Sequence, residues 1–299
     1  MEPAAAGVEA NGRGGLVRNR ISASAEIVAV AGTGGVTRLP VLSSQVPLVL
    51  RRTADAVYVV GGAAGPIGGD ELALRISVAA GAFLRVRTAA AAIALPGPDG
   101  LESVLRVTID VEAGARLEYL PEPVVVSAGA RHATIIRVTM AEGASLLLRD
   151  ELLLGRHGET GGAARSALNV DYAGRPLLRQ SLEVSGADAV TMGPAVLAGH
   201  RAVGTALWVD PAAGEARDAG AAAVGDSTAD EEPAQASRAI SADAAPTTEA
   251  TLATDATVAV MPLAGPGILV TALANDAVAL RRCLSATPST RTATCRLRR

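Results

Sequence analysis

Three carboxylates stand out by their surroundings. Asp70 closes the run Gly61-Gly62-Ala63-Ala64-Gly65-Pro66-Ile67-Gly68-Gly69-Asp70, Glu122 lies between Pro121 and Pro123, and Glu159 ends Leu154-Gly155-Arg156-His157-Gly158-Glu159. A pair of carboxyl groups set across a substrate is the working part of two-carboxylate hydrolysis. Asp70, Glu122 and Glu159, at turns of successive strands, could therefore serve a carboxylate-dependent hydrolase or lyase built on stacked β-structure. Each also has a plain structural account. Asp70 can cap a turn-rich connection, and Glu122 can be a solvated carboxylate whose direction the two prolines fix. Glu159 can pair with Arg156, although an exposed pair contributes only about 0–1 kcal/mol. The glycines Gly61, Gly62, Gly68 and Gly69 can be turn residues, or a surface that another chain or an ion approaches closely because no side chain intervenes.

Other chemistries find less support. His132, His157 and His200 are far apart in the chain, and there is no His-x-x-x-His or Cys-x-x-Cys pair, so a closed structural zinc site is not expected. No Gly-x-Ser-x-Gly elbow frames a nucleophile. All 27 basic residues are arginine, which excludes a P-loop lysine and a Schiff-base lysine by inventory. The run Val28-Ala29-Val30-Ala31-Gly32-Thr33-Gly34-Gly35 begins like a dinucleotide loop, but Thr37 stands where the third glycine belongs and Pro40 leaves no room for the helix that must follow. A glycine turn between strands is the better reading. A net charge of −3 and an aromatic content of 2% argue against a nucleic-acid partner, since neither a basic footprint nor stacking platforms are provided.

The elements that would position these residues follow one pattern. An alternating apolar strand, a turn containing Gly and a second alternating strand recur at Ala80-Gly81-Ala82, Ala113-Gly114-Ala115, Glu142-Gly143-Ala144 and Ala173-Gly174-Arg175, with glycine spacings of 33, 29 and 31 residues. Leu105, Val107, Ile109 and Val111 share one face, and Arg106, Thr108, Asp110 and Glu112 the other. A near-constant period of this size indicates one unit stacked on itself. A lone hairpin of this kind is not stable, so the units must stack to bury their apolar faces. The expected fold is mainly β: stacked strand repeats forming a helical-sheet body, β-helix-like or sandwich-like, with one or two short helices near the C-terminus.

The remaining segments divide by composition. Residues 1–20 read as a disordered arm and 21–210 as the β-rich domain. Residues 211–256, with Asp226, Asp230, Glu231 and Glu232, read as an acidic, Ala-rich excursion. Residues 257–287 supply a closing strand and helix, the helix expected over 271–284 with Leu273, Val278 and Leu280 inward and Arg281 and Arg282 near its C-terminus. A loose basic tail follows. Two cysteines, Cys283 and Cys295, fit a reducing cytoplasm rather than a disulfide framework. The N-terminal residues lack the basic and apolar regions of a signal peptide, and no apolar run is long enough for a membrane span.

The Gly61–Asp70 run, Ala80-Gly81-Ala82-Phe83-Leu84-Arg85-Val86-Arg87-Thr88, the Leu117–Pro123 segment and Leu154-Gly155-Arg156 with Gly158-Glu159 occur in the order seen in urease accessory protein D, called H in some species. The chain resembles that family over roughly 45–210, and again near Gly265–Leu284. After Thr88 it departs, with Ala89 to Ala92 where the family usually carries polar residues. The resemblance implies a β-rich helical-sheet fold and a non-enzymatic factor in maturation of nickel urease. It implies binding to the F-type accessory protein, which recruits the G-type GTPase, and contact with apo-urease. It implies nickel in transit rather than a tightly bound cofactor. On that footing Asp70, Glu122 and Glu159 are expected to line a hydrated nickel passage, because weak, exchangeable carboxylate ligands release the ion where a His or Cys cluster would hold it. Arg156 would orient a carboxylate. Gly61, Gly62, Gly68, Gly69, Thr88, Pro121, Pro123 and Gly155 are expected to shape or dock the surface.

Overall fold

The computed structural model describes residues 20–211, 248–252 and 256–285. The alternating segments form β5 (Glu71–Val78), β8 (Ser103–Val111), β11 (Arg131–Met140) and β13 (Ala163–Tyr172), which pair in parallel in that order. β1 (Ser22–Ala31) adds in parallel beside β5. Register places like on like: Ile27, Ile76, Ile109, Val138 and Val170 make one interior row. Antiparallel β2 (Thr37–Ser44) and β14 (Arg175–Ser185) close the edges of this first sheet. The expected turn at Gly32–Gly35 links β1 to β2.

The second half of each unit lies in a facing sheet. Its parallel core is β4 (Val57–Gly61), β6 (Phe83–Thr88), β9 (Arg116–Leu120) and β12 (Ser145–Leu154). β3 (Leu48–Arg52) edges one side. β15 (Ala202–Val209), β18 (Gly267–Ala274), β17 (Ala256–Pro262) and β16 (Thr248–Leu252) extend the other. Short β7 (Ala92–Ala94) and β10 (Val124–Val126) continue β6 and β9 after a break. The apolar faces of the two sheets meet in a core of Ala, Val, Leu and Ile, and Tyr119 is its one fully buried aromatic among the described residues.

The stacked β architecture agrees with the repeat pattern, but three of the four glycine turns are not hairpins. At Gly81, Gly114 and Gly143 the chain crosses from one sheet to the other, and each strand pairs with the equivalent strand of the next coil. Hydrogen bonds from Ala82 N–H to the Ala79 carbonyl, Ala115 to Glu112 and Ala144 to Ala141 (3.0, 3.0 and 3.2 Å) close these arches. Each glycine sits third in its turn with φ of 66–77°, as a type II turn requires. Ser127–Ala130, with Gly129 at φ 72°, makes the same turn on a return to the first sheet. Only the fourth repeat turn reverses the strand. Tyr172 pairs with Arg175 across Ala173 (φ 50°) and Gly174 (φ 74°), the two-residue I′ geometry of a hairpin.

Two short helices are described, α1 (Ala189–Met192) and α2 (Ala277–Ser285). The helix expected over 271–284 begins later, because residues 271–274 belong to β18, which is paired on both sides. Asp276 accepts hydrogen bonds from the Val278 and Ala279 N–H groups, each at 2.8 Å, and so starts the helix. Leu280, Cys283 and Leu284 form the buried side, whereas Val278 is 62% exposed. β16 and the first residue of β17 fall inside the stretch read as an acidic excursion. Apart from residue 211, the rest of that stretch, the N-terminal arm before residue 20 and the basic tail lie outside the described residues.

Glycine is required for different reasons at different turns. A Cβ on Gly162 would stand 2.3 Å from the Ala130 carbonyl oxygen and 2.5 Å from that of Ser127, whereas one on Gly114 meets nothing within 4 Å. Gly114→Ala should lower stability by about 1 kcal/mol, the penalty of a left-handed alanine. Gly162→Ala should lower it by about 2–3 kcal/mol, because backbone must move. Urea unfolding of the two variants measures the difference, and equal losses would contradict the packing account.

Candidate functional site

The second sheet breaks between β9 and β10, and the break is built from residues that the sequence singled out. Pro121 and Pro123 lack the N–H groups that pairing needs, so the strand interrupts there beside the unbroken β12. Ala89–Ala91 form the matching break between β6 and β7 in the preceding coil. The Glu122 N–H donates to the Thr88 hydroxyl at 2.8 Å, the Ala92 N–H donates to the Pro123 carbonyl at 3.1 Å, and Arg149 Nη2 donates to the Pro121 carbonyl at 3.2 Å. Thr88, Pro121, Glu122 and Pro123 are thus brought to one place.

Helix α2 completes the outer side of this break. Arg281 Nη1 donates to both Glu122 carboxylate oxygens at 2.9 and 2.8 Å, and Nη2 donates to Glu151 Oε2 at 2.6 Å. The Glu151 side chain is fully buried. Its hydrogen bond holds the Arg281 guanidinium firmly protonated, against the opposing effect of burial. Arg149 is pushed the other way, by burial first, with the positive charges of Arg281 and Arg87 adding to it and Glu151 opposing. Its Nε lies 3.0 Å from Glu151 Oε1 but off the hydrogen-bond direction.

The inner side of the same strand carries Asp150, which the sequence reading missed. Asp150 faces a cavity of about 260 Å³ between the sheets, lined also by Ser166, Gln180, Thr205 and Thr271 among others. Ser166 Oγ donates to Asp150 at 2.5 Å. Burial raises the Asp150 carboxyl above its ordinary range, with the Ser166 hydrogen bond opposing. Thr271 Oγ1 is buried with no partner among the described residues. The cavity has room for several waters and the polar partners to hold them.

The other two expected acids sit in separate surroundings. Asp70 is fully buried, and its carboxylate accepts from the Ile21 N–H at 3.1 Å and the Ile67 N–H at 2.9 Å, tying β1 to the return turn. The glycines before it do permit a close approach, but within the chain. A Cβ on Gly68 would lie 2.6 Å from the Gly97 nitrogen and one on Gly62 would lie 2.6 Å from Val49, while Gly69 takes φ 92° and Gly61 is uncrowded. Glu159 is clamped by Arg156 through Nε and Nη2, each at 2.9 Å, and through the Arg156 N–H at 2.9 Å. The Arg156 guanidinium is the first cause holding its carboxyl down at about 2. Gly155, at φ 76°, lets the turn close where a Cβ would be 2.5 Å from the Glu159 carbonyl. Arg201, a lone arginine without a motif, organises this turn by donating to the carbonyls of Leu154, Gly155, Arg156 and Glu159. No two of the three acids share a partner in these contacts. Among the described residues no three His, Cys, Asp or Glu side chains converge as a metal-binding group.

A buried polar row opens the strands of the first sheet. Ser103 Oγ lies 2.9 Å from His132 Nδ1, and Thr134 Oγ1 lies 3.2 Å from His132 Nε2.

The cavity can house water, and comparison with known proteins gives the arrangement a context. The family profile described as UreD urease accessory protein matches residues 22–297. This chain belongs to the UreD urease accessory protein family. The urease accessory protein UreD of a Parafrankia species is 40% identical over 290 residues, covering 89% of this chain and 87% of the relative. UreD 3 of Streptomyces griseus is 43% identical over 254 residues, 82% of this chain and 87% of the relative. UreD of Frankia alni is 40% identical over 309 residues, 90% and 93% respectively. The family match runs through the break at Glu122, the cavity and α2 alike.

Two measurements probe these contacts. Arg281→Ala leaves the fully buried Glu151 with only a misaligned partner, so it should cost about 3 kcal/mol in urea unfolding. Arg281→Lys should recover little of this, since an ammonium cannot span two carboxylates as the guanidinium fork does. Burial lowers His132 to about 4 from an ordinary 6.5. Between those values the unfolded chain takes up a proton that the folded chain refuses. Stability from neutral His132 is therefore whole above pH 6.5 and declines as pH falls toward 4, by on the order of 2 kcal/mol at pH 5. Unfolding free energies of the natural chain and His132→Gln, measured from pH 7 to 5, should show the steeper decline in the natural chain.

Proposed function

We propose that this chain is a non-catalytic scaffold that assists nickel insertion into urease in the cytoplasm. Its direct partner would be the F-type accessory protein, with the G-type GTPase and apo-urease assembling around the pair. No nucleic acid or membrane takes part. Family membership across residues 22–297 carries the reading. The absence, among the described residues, of a helix long and apolar enough to cross a membrane is compatible with it.

Nickel would be cargo, with no cofactor held tightly. A hydrated divalent ion in transit favours carboxylate and water oxygens that exchange readily. Of the expected acids, Asp70 would hold the wall of the passage through its two backbone N–H contacts, and Glu159 with Arg156 would hold its rim. Asp150, facing the cavity behind Glu122, offers the exchangeable ligand. Its raised pKa favours release, because protonation competes with the metal.

A strain lacking this chain, with no second copy, should make urease that is nickel-poor by metal analysis. Normal nickel content would refute the scaffold reading. Asp150→Asn should leave the accessory complex assembled yet cut urease activation severalfold, and full activation would remove Asp150 from the route. Amide variants of Asp70, Glu122 and Glu159 test the remaining positions by the same assay.

A further inference from the structure

The outer face of the second sheet is divided. Over β15, β18 and β17 it is apolar and covered by α2, through Leu280, Cys283 and Leu284 on Ala202, Ala206 and Ala272, and over β12 the Arg149–Glu151–Arg281 network covers it. Over β3, β4, β6 and β9 no described element covers it. Register places Arg51, Tyr58 and Arg87 in one outward row, and Phe83 and Arg116 in another, with Arg85 beside Glu118 between them. Arginine stems can shield a sheet from water on their own account, but three observations ask for more.

The first is where the aromatics lie. In a chain with one Phe, one Trp and three Tyr, Phe83 and Tyr58 stand on this open half. Phe83 is 42% exposed, with the Arg85 and Arg116 guanidinium carbons each 5.5 Å from its ring centroid. The second is charge. Arg51, Arg85, Arg87 and Arg116 are answered on this half by Glu118 and, at its edge, Asp55, although the whole chain carries −3. The third is that the half-buried Arg87 makes no ion pair among the described residues, so its guanidinium is left for a carboxylate from outside. Arginine and aromatic residues set together, pre-ordered by cation–π stacking, are the composition of interface hot spots.

We infer that this open half-sheet is the docking surface for an acidic protein partner, whose carboxylates meet Arg87, Arg116 and Arg51 while an apolar side chain covers Phe83. The inference rests on the scaffold reading and adds to it the location and chemistry of the contact. The test uses the full-length chain co-expressed with its F-type and G-type accessory proteins and apo-urease, reading partner retention and urease activation. Arg116→Glu combined with Phe83→Ala should lower retention at least tenfold with an unchanged thermal melt, and Arg116→Lys should retain most of it. Arg51→Glu, which removes only a bond to the Leu50 carbonyl, gives the same readout should the double variant fold poorly. Unchanged retention in the folded variants overturns the proposal. Stronger retention overturns it too, since the face would then be covered by the chain's own acidic run around Asp230, Glu231 and Glu232. So does a shift from dimer to monomer with retention intact, which would assign the face to a second copy. If the unaltered chain neither retains partners nor activates urease, the scaffold reading fails instead.

Discussion

Every coil of this protein must leave one sheet and enter the other within a single tight turn, and the architecture hangs on that crossing. The residue after each crossing glycine is alanine: Ala82, Ala115 and Ala144 are all at most 2% exposed. A larger side chain there would hold the sheets apart. Because the crossings repeat from coil to coil, the strands behind them fall into parallel register, and aliphatic residues stack in rows across the interior. A core without bulky aromatics is then sufficient, since branched aliphatic side chains in register fill the space between sheets closely.

Much of this was legible. The first two glycine spacings, 33 and 29 residues, equal the register offsets of the strands, as Leu72 opposite Leu105 and Leu105 opposite Thr134 show. The family motifs led to residues that do meet, at Thr88, Pro121, Glu122 and Pro123. Direction was not legible from alternation, because a strand that folds back and a strand that crosses over carry the same period of two. The difference lies beyond the glycine, where alanine follows at the three crossings and Arg175 follows at the fourth repeat turn, the hairpin. The helix boundary failed for a tertiary reason, since 271–274 suits a helix by pattern but is drawn into a strand by neighbours on both sides. Asp150 and Arg201 gave no local signal at all. One is an ordinary acid in a strand and the other an isolated base, and only the meeting of distant segments gives them work.

The stretch Arg149-Asp150-Glu151 shows how a two-faced sheet divides its tasks. The pleat sends Asp150 inward to the cavity and its two neighbours outward to the α2 network. Inside, a carboxylate sits among hydroxyls with its charge disfavoured. Outside, the Glu122 and Glu151 carboxylates share the Arg281 guanidinium, with Arg149 beside Glu151. The break in the neighbouring coil relieves the ladder at the same level, so both sides gain polar backbone groups where a continuous sheet would have none to spare. A partly polar cavity thus lies directly behind a charged exterior fixed by α2.

The Arg281 contacts span 159 residues to Glu122 and 130 to Glu151. The strands that hold both acids leave the ribosome long before the helix that neutralises them. Until α2 is made, a growing chain can complete its coils but must keep the outer side of β12 hydrated, with the apolar strip of β15 and β18 bare beside it. Among the described residues α2 is thus the last element to close the outer side of β12. A chain truncated before α2 would leave Glu151 and the alanine strip of β15 and β18 facing water.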